Sequence, residues 1–192
     1  MTAWVNQNDE KFANMEIMGG DDALEQLKEM MAVAAAKNKS DADIRLVLGV
    51  LQASGGDLAG AIKSFEEATA LEATDYGLWN KLGAVRANLA DPGPMYAEAI
   101  PAYRAALKLK PKYTRAWANM ALSYAALDQA PKACKCYLEA LRLNPLAQQH
   151  WASLRIALCK MGDEALVEKT RDCNPELFVS DFELDGVPPA SE

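Results

Sequence analysis

Residues able to do recognition chemistry gather in two short stretches of this 192-residue chain. The first holds Asn80, Lys81, Ala84 and Asn88, and the second holds Arg115 and Asn119. Primary amides both donate and accept hydrogen bonds, which suits the backbone of an extended peptide. A guanidinium and an ammonium suit a carboxylate, because charge-assisted hydrogen bonds are the strong ones. Capture of a peptide's free carboxyl terminus is the chemistry this mixture fits. Catalysis has far less to work with. His150 is the sole histidine, and no carboxylate pair or serine is set around it as a triad requires. Cys134 and Cys136 stand two apart in a helical pattern, so they point about 200° away from each other and cannot grip one metal ion. With Cys159 and Cys173 they read as small, buried or half-buried, reduced thiols. The expectation is a binding protein, not an enzyme, with no metal and no cofactor.

An internal repeat must position these side chains. Its period is about 34 residues. Counted from Ala42, Leu48 and Gly49 fall at places 7 and 8, Ala61 at 20, Phe65 at 24 and Ala68 at 27. A second unit starts at Tyr76, with Trp79 at place 4 followed by Leu82 and Gly83. After a short insertion around Asp91 to Pro94 it resumes with Ala99, Tyr103, Ala106 and Pro111. The third unit, from Thr114, is the cleanest: Trp117, Met120, Ala121, Tyr124, Ala133, Tyr137, Ala140 and Pro145. A fourth begins at Gln148 with Trp151 and Leu154 and loses the pattern after Gly162. This is the tetratricopeptide pattern of stacked helical hairpins. Units of this kind cannot bury their faces alone, so the predicted fold is an all-α superhelix with a concave groove.

Composition agrees with that reading. The chain has 35 alanines, as expected where places 8, 20 and 27 admit only small side chains between close helices. Lys and Arg number 20 against 27 Asp and Glu, a net charge of −7 that argues against nucleic acid. The longest apolar run, Met30 to Ala36, is far short of the ~18 residues that suggest a membrane span. The amino-terminal residues lack a signal peptide's basic-then-apolar layout. Residues 1–20 read as a flexible segment and 21–40 as a helix closing a partial preceding repeat. Residues 42–75, 76–113 and 114–147 are the three repeats, the middle one with the insertion. Residues 148–178 read as a helical cap and 179–192 as a flexible acidic tail. Pro101, at place 22, predicts a kink or a late helix start, because it lacks an amide donor and clashes with the carbonyl four residues back.

In such hairpins places 2, 5, 6, 9, 12 and 13 of the first helix face the groove. They hold Asn80, Lys81, Ala84 and Asn88 in the second unit, and Arg115 and Asn119 beside Ala118 and Leu122 in the third. Trp79, Trp117 and Trp151, all at place 4, read as packing residues.

At the residues themselves, Asp-Tyr-Gly-Leu-Trp-Asn-Lys-Leu-Gly-Ala (Asp75 to Ala84) closely resembles the sixth repeat of the peroxin-5 family, receptors for the carboxyl-terminal peroxisomal targeting signal (PTS1). Ala99 to Leu109 continues the likeness, as does Tyr113 to Leu122, which keeps an arginine and an asparagine at Arg115 and Asn119. Leu48 to Leu51 is similar to the fifth repeat, and Trp151 to Leu158 to the segment after the seventh. The resemblance spans roughly residues 24–160. It implies that Asn80, Ala84, Asn88, Arg115 and Asn119 hold the backbone and carboxylate of a Ser-Lys-Leu-type terminus, with Lys81 adding positive potential. The implied partners are cargo proteins carrying that signal and peroxisomal docking proteins, and the implied location is the cytoplasm with cycling to the peroxisome membrane.

This sequence also departs from the family pattern. Family receptors hold the signal between two clusters of three repeats, and only the second cluster is present here. Two family asparagines are replaced by Ala53 and Ala126. The Trp-x-x-x-Phe/Tyr motifs and the amino-terminal cysteine are absent, which fits either a fragment of a longer receptor or a short paralogue. The rival reading is a generic tetratricopeptide scaffold or co-chaperone adaptor. A chaperone clamp uses groove lysines and an arginine, whereas the fourth unit offers Gln149 and Ser153.

Overall fold

The computed structural model describes residues 20–89, 93–178 and 181–182. Among these the structure is helical, with nine α-helices and no strand. They are α1 (Gly20–Lys37), α2 (Ala42–Ser54), α3 (Leu58–Leu71), α4 (Tyr76–Ala87) and α5 (Tyr96–Leu109). There follow α6 (Thr114–Ala126), α7 (Ala130–Leu143), α8 (Gln148–Met161) and α9 (Glu164–Lys169). Two 3₁₀ turns, Thr170–Asp172 and Pro175–Phe178, come after α9.

Local sequence starts several of these helices. The carboxylates of Asp41, Asp57, Asp75 and Asp163 accept hydrogen bonds from first-turn amides of α2, α3, α4 and α9. Gly162 ends α8 in the left-handed conformation at φ 73°, where a side chain would be strained. Each helix packs on its chain neighbours, and α4 also touches α6 past the intervening α5. The result is a tetratricopeptide fold in which α4 and α6 present adjoining faces.

Two fixed places set the hairpin spacing. A Cβ added at Gly49 would lie 2.8 Å from the Phe65 ring, and one at Gly83 would lie 2.6 Å from the Tyr103 ring. Phe65 and Tyr103 are buried to 2% and 1% exposure, so neither ring has room to retreat. In these two units the place-8 glycine is therefore required by the place-24 aromatic. Gly83→Ala is expected to destabilise the fold by about 1–3 kcal/mol, seen as an earlier urea midpoint. An unchanged midpoint would show that Tyr103 can move aside.

The tryptophans follow a second rule. The indole nitrogens of Trp79, Trp117 and Trp151 donate to the carbonyls of Ala73, Pro111 and Pro145 at 2.8, 2.8 and 2.9 Å. In each case the acceptor is six residues earlier, at place 32 of the preceding unit. Burying an indole requires a partner for its N–H, and the repeat supplies one at each of these three junctions. These rings join successive units, as their packing assignment implies.

Of the two outcomes expected at Pro101, a kink or a late helix start, the second does not occur. Helix α5 starts at Tyr96, five residues before it, and runs through to Leu109, so there is no late start. Pro101 and Ala97 are both exposed, so water can reach the Ala97 carbonyl that loses its intrahelical donor. Arg86 adds a donor one residue along, from Nη1 to the Glu98 carbonyl at 3.1 Å.

Cys134 and Cys136 are buried, while Cys159 and Cys173 are exposed, so burial accounts for only two of the four thiols. Desolvation pushes the Cys134 thiol up to about 12 and raises that of Cys136 as well, which keeps both protonated. Residues 1–19, read from sequence as flexible, lie outside the described residues, as does most of the acidic tail. The tail's two described residues are anchored instead of free. Phe182 is buried in the core at 7% exposure, and Asp181 pairs with Lys169 at 3.0 Å. An aromatic ring with apolar surface to bury thus outweighs the charge of the sequence around it. No described helix is long and apolar enough to cross a membrane.

Candidate peptide-binding groove

Helical spacing fixes what each of the two adjoining faces presents. Asn80, Ala84 and Asn88 recur every four residues along α4, and Arg115, Asn119 and Ser123 do so along α6. Because α4 touches α6, the two rows lie side by side.

A cavity of about 410 Å³ opens between them, with Ala84, Asn88, Tyr103, Asn119, Leu122 and Ala126 in its wall. Three of the six residues named from sequence, Ala84, Asn88 and Asn119, therefore border one space. The other three stand elsewhere. Asn80 is buried at 4% exposure beneath Asn119, whose Nδ2 donates to its Oδ1 at 3.2 Å. Lys81 and Arg115 are exposed and outside the cavity wall. Arg115 nevertheless stands one turn from Asn119 on the same face of α6. Neither cation has an ion-pair or hydrogen-bond partner among the described residues, so both can meet an anion.

A polar chain supports the wall from behind. Ser123 Oγ donates to the Asn119 carbonyl at 3.2 Å, and Asn119 Nδ2 donates to Asn80. This chain joins α4 and α6. Burial raises the Tyr103 phenol above its ordinary value, so it remains a neutral hydroxyl in the cavity wall. Asn88 has a different task. It caps α4, its Nδ2 donating to the Ala84 carbonyl at 2.8 Å, which leaves its amide oxygen as the acceptor on offer.

Sequence reasoning missed Ala87, Tyr96, Ser123 and Ala125, which also line the cavity. Ser123 could have been found as the residue one turn beyond Asn119. Tyr96 could not, because it stands beyond the insertion that interrupts the repeat. The groove also carries more apolar surface than its polar residues suggest: Leu122 is 55% and Ile156 is 63% exposed, both at place 9. No group of three or more His, Cys, Asp or Glu side chains is arranged to hold a metal ion among the described residues.

Comparison with known proteins yields the same repeat. The sequence profile of the tetratricopeptide repeat matches residues 114–147, which contain α6 and α7. The peroxisomal targeting signal receptor of Saccharomyces cerevisiae is 34% identical over 120 residues, covering 62% of this chain and 19% of the receptor. That of Eremothecium gossypii is 34% identical over 118 residues, covering 62% of this chain and 20% of the receptor. The PEX5-related protein of Homo sapiens is 42% identical over 67 residues, covering 34% of this chain and 11% of that protein. The chain spans about a fifth of the length of the curated receptors it matches. Among solved structures, MamA from Desulfovibrio magneticus RS-1 superposes with a TM-score of 0.71 at 19% identity, covering 95% of this chain and 97% of that one. The first tetratricopeptide domain of Spaghetti (RPAP3), bound to an HSP90 peptide, superposes with a TM-score of 0.59 at 20% identity, covering 64% and 94%. These two likenesses concern the fold. The chain carries a tetratricopeptide-repeat region like that of the peroxisomal targeting signal receptors.

Proposed function

We propose that this chain is a peptide-binding module that takes the carboxyl terminus of Ser-Lys-Leu-type peroxisomal signals into the groove between α4 and α6. The observation that carries the reading is the Asn80–Asn119 amide pair at the edge of the cavity, with unpartnered Arg115 one turn away. Asn119 and the outward oxygen of Asn88 would meet the peptide backbone. Arg115 and Lys81 would meet the terminal carboxylate, and Ala84 would leave the space the peptide needs. The receptors it resembles are named for the signal they receive. Its partners would then be cargo proteins ending in that signal and the docking proteins of the peroxisome, and it would move between the cytoplasm and the peroxisomal membrane. Three hairpins, 42–75, 76–113 and 114–147, would form the groove, with 148–178 closing its end.

A labelled peptide ending in Ser-Lys-Leu, titrated by fluorescence anisotropy beside the same peptide amidated at its end, tests this. The amidated peptide is expected to bind about tenfold or more weakly, since a hydrogen bond to a charged group contributes about 1.5–3 kcal/mol. Equal binding of the two would refute carboxyl-terminal recognition.

A further inference from the structure

The groove continues past the amide-lined cavity into a second, mostly apolar one. It has a volume of about 210 Å³ and lies between α6, α7 and α8. Leu122 and Ala125 belong to the walls of both cavities, so the two adjoin along α6. Ile156 and Ala157 supply the far wall, and the ring of Tyr137 reaches it from α7. Leu122 and Ile156 hold the same place in successive units, and each leaves more than half of its surface in water. Single exposed aliphatics are ordinary, but two that flank one cavity on a groove face are a site waiting for apolar contact. Water fills such a space poorly: at about 30 Å³ each, several molecules would sit against walls with few hydrogen-bonding groups. The rim is charged but internally paired, with Lys160 Nζ 3.3 Å from Asp128 Oδ1. A charged occupant would have to compete with that pair, whereas an apolar one leaves it in place.

We infer that this second cavity is a subsite for one large aliphatic or aromatic side chain of the same bound peptide, upstream of its carboxyl terminus. This rests on the terminal-capture reading and adds a specificity that terminal capture alone lacks. The two cavities share α6 in their walls and an extended peptide advances about 3.3 Å per residue, so the side chain belongs within the few residues before the anchored end.

A set of peptides ending in Ser-Lys-Leu, with one leucine moved through the preceding four positions of an alanine background, reads the subsite by anisotropy. One position is expected to bind about tenfold tighter than the all-alanine peptide. Ile156→Ser, a change on an exposed helix surface, should abolish that gain and leave the all-alanine peptide unaffected. Equal affinity at every position, with carboxylate-dependent binding intact, overturns the subsite alone. A leucine gain that survives Ile156→Ser also overturns it. Failure of every peptide in the set, or equal binding after amidation, overturns the terminal reading on which the subsite rests.

Discussion

Glu139→Ala is expected to unfold at markedly lower urea, having lost about 3–5 kcal/mol of stability. Glu139 sits on α7 with no exposed surface, an unusual position for a carboxylate. Lys135 Nζ and Arg142 Nη1 approach its Oε1 at 3.1 and 3.0 Å, and their side chains are only 16% and 14% exposed. Removing the carboxylate leaves two largely desolvated cations facing each other without their shared anion. That cost exceeds the few tenths of a kcal/mol usual for an exposed pair on one helix. Arg142 also extends Nε to Glu176 at 3.5 Å, so the same cluster helps hold the 3₁₀ turn at Pro175–Phe178 against α7. Phe178 in that turn is 1% exposed and lies in the main core. Replacing Glu139, Lys135 and Arg142 together with methionine should cost much less than the single change, because no buried charge is left unpaired. A Glu139→Ala protein within about 1 kcal/mol of the parent would mean that water reaches the cluster and the burial argument fails.

Much of the architecture was legible because it is written in spacing. Glycine or alanine at place 8 and an aromatic at place 24 predicted the close helix pairs, and Gly49 with Phe65 and Gly83 with Tyr103 show the atomic reason. The tryptophans were legible as packing, but not as the donors that tie each unit to the one before it. That tie needs the place-32 carbonyl, and backbone groups leave no mark in a sequence. The groove was legible by face but not by depth. Periodicity put Asn80 and Asn119 on adjoining faces, yet could not say that one lies beneath the other and is hydrogen-bonded to it. Depth depends on how far α6 leans over α4, and many small contacts set that angle. The spacing marks Leu122 only as a neighbour of Asn119. Its partner Ile156 carries no such mark, because the repeat pattern fades there. Of the acidic tail only residues 181–182 are described, and there one ring, Phe182, lies in the core, which the average charge of the segment does not indicate.

Arg115→Ala combined with Asn119→Ala is expected to weaken binding of a Ser-Lys-Leu terminus by about a hundredfold or more. Loss of a hydrogen bond to a charged group costs about 1.5–3 kcal/mol, which alone is roughly tenfold to a hundredfold. Asn119 adds its own contacts to the peptide backbone, and its removal also leaves the buried Asn80 oxygen without its donor. The two side chains are one helical turn apart and would share one ligand, so their effects should couple instead of adding freely. The double variant should therefore lose more than either single variant but less than the product of the two. Stability discriminates this from simple unfolding: Arg115 is exposed, without a described partner, so Arg115→Ala alone should keep the parent's urea midpoint. Salt discriminates the chemistry. A carboxylate held by Arg115 binds more weakly as ionic strength rises, and the double variant should show much less of that slope. A double variant that folds normally and keeps both the affinity and the slope would move the anion site away from α6. Lys81 on α4 would then be the cation left to test, and the amide pair would be a structural link between two helices with no ligand of its own.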